Sequence, residues 1–97
     1  MLIDHQKLSI TASSGSGAAN TNSIRGIVRQ IIVKPHTDST SYNITLTNYM
    51  SVIVYERTSE TGELAEINSI PVNGIYTVTI SSATRDELFE VYLITQE

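Results

Sequence analysis

The chain has 97 residues with six Lys and Arg against ten Asp and Glu, a formal net charge of −4, and no cysteine. That length fits one small domain with one core, and the acidic balance argues against nucleic acid as the main partner. The missing cysteines exclude a disulfide framework, a thiolate nucleophile and a Cys-based zinc site, which leaves core packing, backbone hydrogen bonds and subunit contacts to supply stability.

Thirteen Ile, seven Val and twelve Thr make a third of the chain β-branched, and these stiff side chains favour extended backbone. With one Phe and no Trp, the core must be mostly aliphatic, with five Tyr at its edges. Asp4, His5 and Lys7 interrupt the first residues before any hydrophobic run of signal-peptide length, and no apolar run approaches the roughly 20 residues of a membrane helix. No membrane partner is therefore expected.

In chain order, Leu8, Ile10 and Ala12 alternate with Lys7, Ser9 and Thr11 as a half-buried strand. Residues 13–23 (SSGSGAANTNS) are all small or polar, bury little apolar area, and are predicted to form a flexible loop, or else an arm that orders only against a partner subunit. Ile24–Lys34 is apolar on both faces at Ile31, Ile32 and Val33, as in a central strand covered on both sides, with Gly26 marking a bulge or close approach and Pro35 the end. A turn cluster at Thr37–Thr40 precedes a third strand on Tyr42, Ile44 and Leu46. A fourth runs from Val52 to Glu56, partly buried on both faces, and Gly62 closes the hairpin after it. Leu64–Ile70 reads as a short edge strand stopped by Pro71. Gly74–Ser81 alternates strictly, with Tyr76, Val78 and Ile80 inward. Ser82–Glu87 suits one helical or 3₁₀ turn with Ser82 or Thr84 as N-cap, and Phe89, Val91 and Leu93 lie inward on a last strand. The expected fold is therefore all-β. It is one β-sandwich of about seven mostly antiparallel strands spanning residues 1–97, and the jelly roll is among the arrangements that fit.

Chemistry is sparse. His5 and His36 lack the second ligand that a metal site requires, and His36 with Asp38 is the one candidate catalytic pair. Gly15 and Gly17 lack the Lys and following helix of a phosphate loop. Glu56, Glu60, Glu63 and Glu66 gather around one hairpin, but Arg57 sits among them and calcium-ligand spacing is missing. Asn43-Ile44-Thr45 is a glycosylation sequon without a secretion signal. Arg25, Arg29 and Lys34 are too few for a phosphate footprint and are expected to pair with carboxylates. No catalytic, cofactor-binding or metal residue is assigned, and no enzyme is expected. Outward Thr, Ser, Asn and Tyr make flat polar faces suited to packing against other subunits. Tyr42, Tyr49, Tyr55, Tyr76 and Tyr92 are the rings a carbohydrate site would use.

Three segments, 41–55 (SYNITLTNYMSVIVY), 71–83 (PVNGIYTVTISSA) and 87–97 (ELFEVYLITQE), resemble small virion structural proteins of tailed bacteriophages. In that family a Tyr-x-Ile-x-Leu strand turns into a Val-x-Val-Tyr strand, and a Pro-x-x-Gly turn precedes the strand leading to a final Glu-Leu-Phe-x-Val-x-Leu strand. The resemblance implies a non-enzymatic β-sandwich located in the virion, without cofactors. Its role would be that of a capsid cement or decoration protein stabilising the shell by subunit contacts. Its partners would be other virion proteins, such as the major capsid protein, and further copies of itself. A tail or neck component, or a carbohydrate-binding β-sandwich module, is the alternative.

Overall fold

In the computed structural model, which describes residues 3–37 and 40–97, eight strands form: β1 (Ile3–Ala12), β2 (Gly17–Asn20), β3 (Ile24–Pro35), β4 (Ser41–Thr47), β5 (Ile53–Thr61), β6 (Leu64–Gly74), β7 (Thr77–Ser81) and β8 (Glu87–Gln96). They build two four-stranded sheets, sheet A in the order β1-β8-β3-β6 and sheet B in the order β2-β7-β4-β5, with every pair antiparallel. The two halves of the chain pair as one long hairpin, β1 with β8, β2 with β7, β3 with β6 and β4 with β5, and rolling that hairpin gives a jelly-roll sandwich.

Period-two alternation decides which side chains meet. Leu8, Ile10 and Ala12 of β1, Val28, Ile31 and Val33 of β3 and Phe89, Val91 and Leu93 of β8 face Tyr42, Ile44 and Leu46 of β4 and Val78 and Ile80 of β7, all buried. The two largest fully buried side chains, Tyr42 and Phe89, meet edge to face across the sheets at 5.1 Å between ring centroids. The Tyr42 hydroxyl donates to the Gly62 carbonyl at 2.7 Å, so the ring's one polar atom is satisfied in the core.

Several sequence expectations change. The predicted arm over 13–23 holds a 3₁₀ turn at Ser13–Gly15 and strand β2, paired with β7 from Gly17↔Ile80 to Asn20↔Thr77. A Cβ on Gly17 would strike the Thr11 carbonyl, so smallness here permits close packing of β2 on β1. Strand β6 runs through Pro71 to Gly74. It is a sheet edge, where a residue without an N–H costs no ladder bond on the open side. The bulge of β3 falls at Arg29, between Val28 and Gln30, while Gly26 is a close approach to the Gln96 carbonyl at φ 114°. No helical turn forms at Ser82–Glu87, because Ser82 and Asp86 both take left-handed backbone conformations. Strand β3 is central but covered on one side only: Ile32 points outward beside Tyr92 and Ala65. Strand β5, too, is an edge, with Ile53 and Glu56 exposed on its outer side.

Phe89→Ala is expected to cost about 3–5 kcal/mol in urea unfolding by emptying the contact with Tyr42. Burial pushes the Tyr42 hydroxyl up from 10.0 to about 12, with the charges of Glu60 and Glu63 adding to the rise. The raised value means that the folded state holds this proton more tightly than the unfolded chain. Its contribution is therefore complete below pH 10 and is lost as the pH climbs toward 12. Tyr42→Phe should flatten that alkaline loss and cost about 1–3 kcal/mol at neutral pH by leaving the Gly62 carbonyl unpaired.

Candidate binding site at one end of the sandwich

The ends of β1, β8 and β3 and the β4–β5 and β6–β7 turns converge at one end of the roll. In the β4–β5 turn, Asn48 Oδ1 accepts the backbone N–H groups of Met50 at 2.9 Å and Val52 at 3.0 Å, and the Ser51 N–H donates to the Asn48 carbonyl. With Ser51 at φ 62°, this turn holds Tyr49 outward, 76% exposed, beside exposed Met50, Val52 and Ile53. The β6–β7 turn adds exposed Ile75, and the Tyr49 ring edge lies 3.8 Å from where a side chain on Gly74 would begin. An aromatic and aliphatic platform is thus built from two turns.

Asn73, one residue before Gly74, lines a cleft of about 350 Å³ with Asp4, Ser23, Ile24, Arg25, Thr95 and Glu97. An adjoining cleft of about 480 Å³ shares Asp4, Ser23, Ile24 and Thr95 and is completed by His5, Gln6, Lys7 and Asn22. Arg25 approaches Glu97 at 3.5 Å, and Gln6 Oε1 accepts the Asn22 N–H. Thr21, 5% exposed, lies just before Asn22 and ties this end to the β6–β7 turn: its N–H donates to the Tyr76 carbonyl at 2.8 Å, and its hydroxyl oxygen accepts the Tyr76 N–H at 3.0 Å. The Tyr76 hydroxyl then accepts the Asn73 N–H, which fixes the turn carrying Gly74 and Ile75. This end offers an apolar ring next to amide, carboxylate, hydroxyl and guanidinium groups, a lining suited to binding a polar ligand by hydrogen bonds.

The structure separates the other candidates. His5 lies on β1 at this end, whereas His36 follows β3 at the opposite end, where its N–H donates to the Leu88 carbonyl. Asp38, the proposed partner of His36, lies outside the described residues. The four glutamates do not converge: Glu56 points outward from sheet B, while Glu66 turns inward and pairs with Arg57 at 2.7 Å. Burial pushes Glu66 up, but hydrogen bonds from Arg57 and Asn68 outweigh it and hold the carboxyl below its ordinary value. Among the described residues, no three His, Asp or Glu side chains are placed to share a metal ion.

Of the five tyrosines, Tyr42 and Tyr76 are core, Tyr55 is buried with its hydroxyl unpaired among the described residues, and Tyr92 lies half-buried on the outer face of sheet A. Burial and the neighbouring Glu66 charge push the Tyr55 hydroxyl above its ordinary range. Only Tyr49 presents an open ring. Asn43 of the sequon is engaged: its Oδ1 accepts the Ser59 N–H at 2.8 Å where β5 slips register against β4. Arg29 hydrogen-bonds Gln96 and Ser69, both neutral, instead of the expected carboxylate. The clefts escaped sequence reading because their residues lie far apart in the chain and share no spacing.

No family model matches this chain, and no curated protein matches it in sequence. Among solved structures, it is similar to chitosan-binding module 1 from a chitosanase/glucanase of Paenibacillus sp. IK-5, at TM-score 0.60 and 11% identity, over 93% of this chain and 76% of that one. It is also similar to PliG, a periplasmic inhibitor of g-type lysozyme from Aeromonas hydrophila, at TM-score 0.54 and 11% identity, over 96% and 86% of the two chains. A third similarity is to the CBM32 module of AlyQ in complex with 4,5-unsaturated mannuronic acid, at TM-score 0.52 and 14% identity, over 82% and 77%. At these identities the likeness establishes a β-sandwich fold and nothing finer.

Thr21→Val, which keeps the volume but strands the Tyr76 N–H, should cost about 1–3 kcal/mol in urea unfolding, whereas Thr21→Ser should retain most of the stability.

Proposed function

We propose that this chain is a non-enzymatic carbohydrate-binding β-sandwich module that uses the end of the roll bearing Tyr49. The observation that carries the reading is the exposed Tyr49 ring packed near Gly74, whose neighbour Asn73 lines a polar cleft: a sugar stacks its C–H face on an aromatic ring and gives its hydroxyls to amide and carboxylate groups. The neighbours that bind chitosan or a mannuronic acid derivative are β-sandwiches of similar outline, which supports the reading at the level of fold. A glycan array that includes chitosan and mannuronate oligosaccharides tests it. The expected result is saturable binding of at least one glycan and a loss of tenfold or more, about 1.4 kcal/mol, in Tyr49→Ala. Tyr49→Ala should unfold at the same urea concentration as the parent because the ring is open to solvent. A blank array, or affinity indifferent to Tyr49→Ala, contradicts the proposal.

A second reading is favoured by the resemblance of residues 41–55, 71–83 and 87–97 to phage virion proteins. In it the chain is a capsid cement or decoration protein, or a neck or tail component, held in many copies against the major capsid protein. Jelly rolls serve both viral capsids and lectins, so the fold accommodates either role. Stoichiometric co-sedimentation with purified phage particles, together with a defined oligomer in light scattering, is the outcome this reading expects. A monomer that stays in the supernatant contradicts it.

A further inference from the structure

The outward faces of the two sheets differ in kind. Sheet B presents Thr45, Thr47, Thr77, Thr79, Ser81 and Asn43, a flat hydroxyl surface. Sheet A presents rows in which Tyr92, Ile32 and Ala65 lie side by side, then Ile94, Gln30 and Ile67, then Ile27 and Pro71. Ile67 is 84% exposed, and no element of the described residues packs over this face. A water-facing sheet surface rich in isoleucine at the centre of its strands is unlike the polar face that a free antiparallel sheet normally shows.

Charge is also sorted. Lys7, Arg25, Arg29 and Lys34, four of the six cations in a chain of net charge −4, border this apolar strip against the carboxylates Glu90 and Glu97. Glu90 is taken by Lys7 at 2.7 Å, while Arg29 has only neutral partners and Lys34 forms no ion pair among the described residues. Two copies meeting face to face through this surface would set the Lys7–Lys34 end on the Arg25–Arg29 end, like charge against like, so self-pairing through it is disfavoured.

We propose that the outer face of sheet A docks an acidic protein surface whose apolar centre covers Ile32, Ile67 and Ile94 and whose carboxylates meet Arg29 and Lys34. Branched aliphatics fit a protein partner better than a sugar, which would stack on rings. The central Glu90 and the apolar strip are unlike a phosphate footprint. Lys7, Arg25 and Glu97 border both this face and the clefts, but Arg29, Ile32, Lys34, Ile67 and Ile94 line neither cleft, so this proposal stands or falls without the carbohydrate reading.

The test uses two soluble probes, poly-L-glutamate and a glutamate–tyrosine copolymer, measured against the full chain at low and high salt. Both are expected to bind despite the chain's own negative charge, the copolymer more tightly, with affinity falling as salt rises. Arg29→Glu with Lys34→Glu should weaken both by tenfold or more. Ile67→Glu should weaken the copolymer preferentially, and Tyr49→Ala should change neither. Circular dichroism of each variant separates lost binding from lost folding, and Ile67→Glu is safe on that count because the side chain is almost wholly exposed. The proposal is overturned by no binding of either probe, by binding that ignores the charge reversals, by tighter binding of duplex DNA than of the copolymer, or by a light-scattering dimer that Ile67→Glu dissolves.

Discussion

The contact between Tyr42 and Phe89 joins the two sheets of this molecule, and the rest of the fold is arranged around it. One ring comes from β4 and the other from β8, interior strands of their respective sheets, and these are the two largest fully buried side chains among the described residues. With no Trp and a single Phe, the remaining core is aliphatic, and Ile10, Ile31, Ile44, Ile80 and Leu93 fill the layer on either side of that pair. The Tyr42 hydroxyl reaches across to Gly62 in the β5–β6 turn, so one side chain ties the core centre to the hairpin that closes its far edge. A sandwich this small has little surplus stability, which is why losing a single ring or leaving a single buried carbonyl unpaired should be measurable.

Rolling a hairpin into two sheets makes each pair of antiparallel partners share one end of the sandwich. The chain's first strand, its last strand and the central β4–β5 turn consequently meet, and the Tyr49 platform and the polar clefts are products of that meeting. The sheet edges are handled differently. Strand β6 blunts its open side with Pro71 and with Glu66 and Asn68 turned inward, and Arg57 bridges from β5 to Glu66. The glutamates and arginine of this hairpin therefore act as an edge guard. The Arg57 guanidinium also lies over the Tyr55 ring at 5.1 Å, closing the seam where the Tyr55 hydroxyl and Asn68 Oδ1 are buried without partners among the described residues.

Much of the architecture is legible from period-two alternation. Tyr42, Ile44 and Leu46, Tyr76, Val78 and Ile80, and Phe89, Val91 and Leu93 all announce strands and their inward faces, and all are buried. Strand β2 is illegible because Gly-Ala-Ala-Asn carries no hydrophobic alternation; it forms because small residues let its backbone approach β1 and pair with β7. Ile31-Ile32-Val33 reads as a strand covered on both sides because periodicity records apolar residues on both faces without saying whether anything covers the second. The same ambiguity hides the outer face of sheet A. Tyr49 is one tyrosine among five in the sequence, and its exposure depends on the Asn48 turn. The cleft lining, drawn from Asp4, Ser23, Arg25, Asn73, Thr95 and Glu97, exists only after the roll brings distant residues together.

The most direct measurement of where this molecule recognises a ligand is a map of backbone amide shifts in isotope-labelled protein titrated with chitosan and mannuronate oligosaccharides. Saturable shifts are expected in residues 47–53, 73–75 and 23–25, with the central rows of both sheet faces unmoved. Shifts confined to the sheet faces, or none that saturate with either sugar, would contradict it.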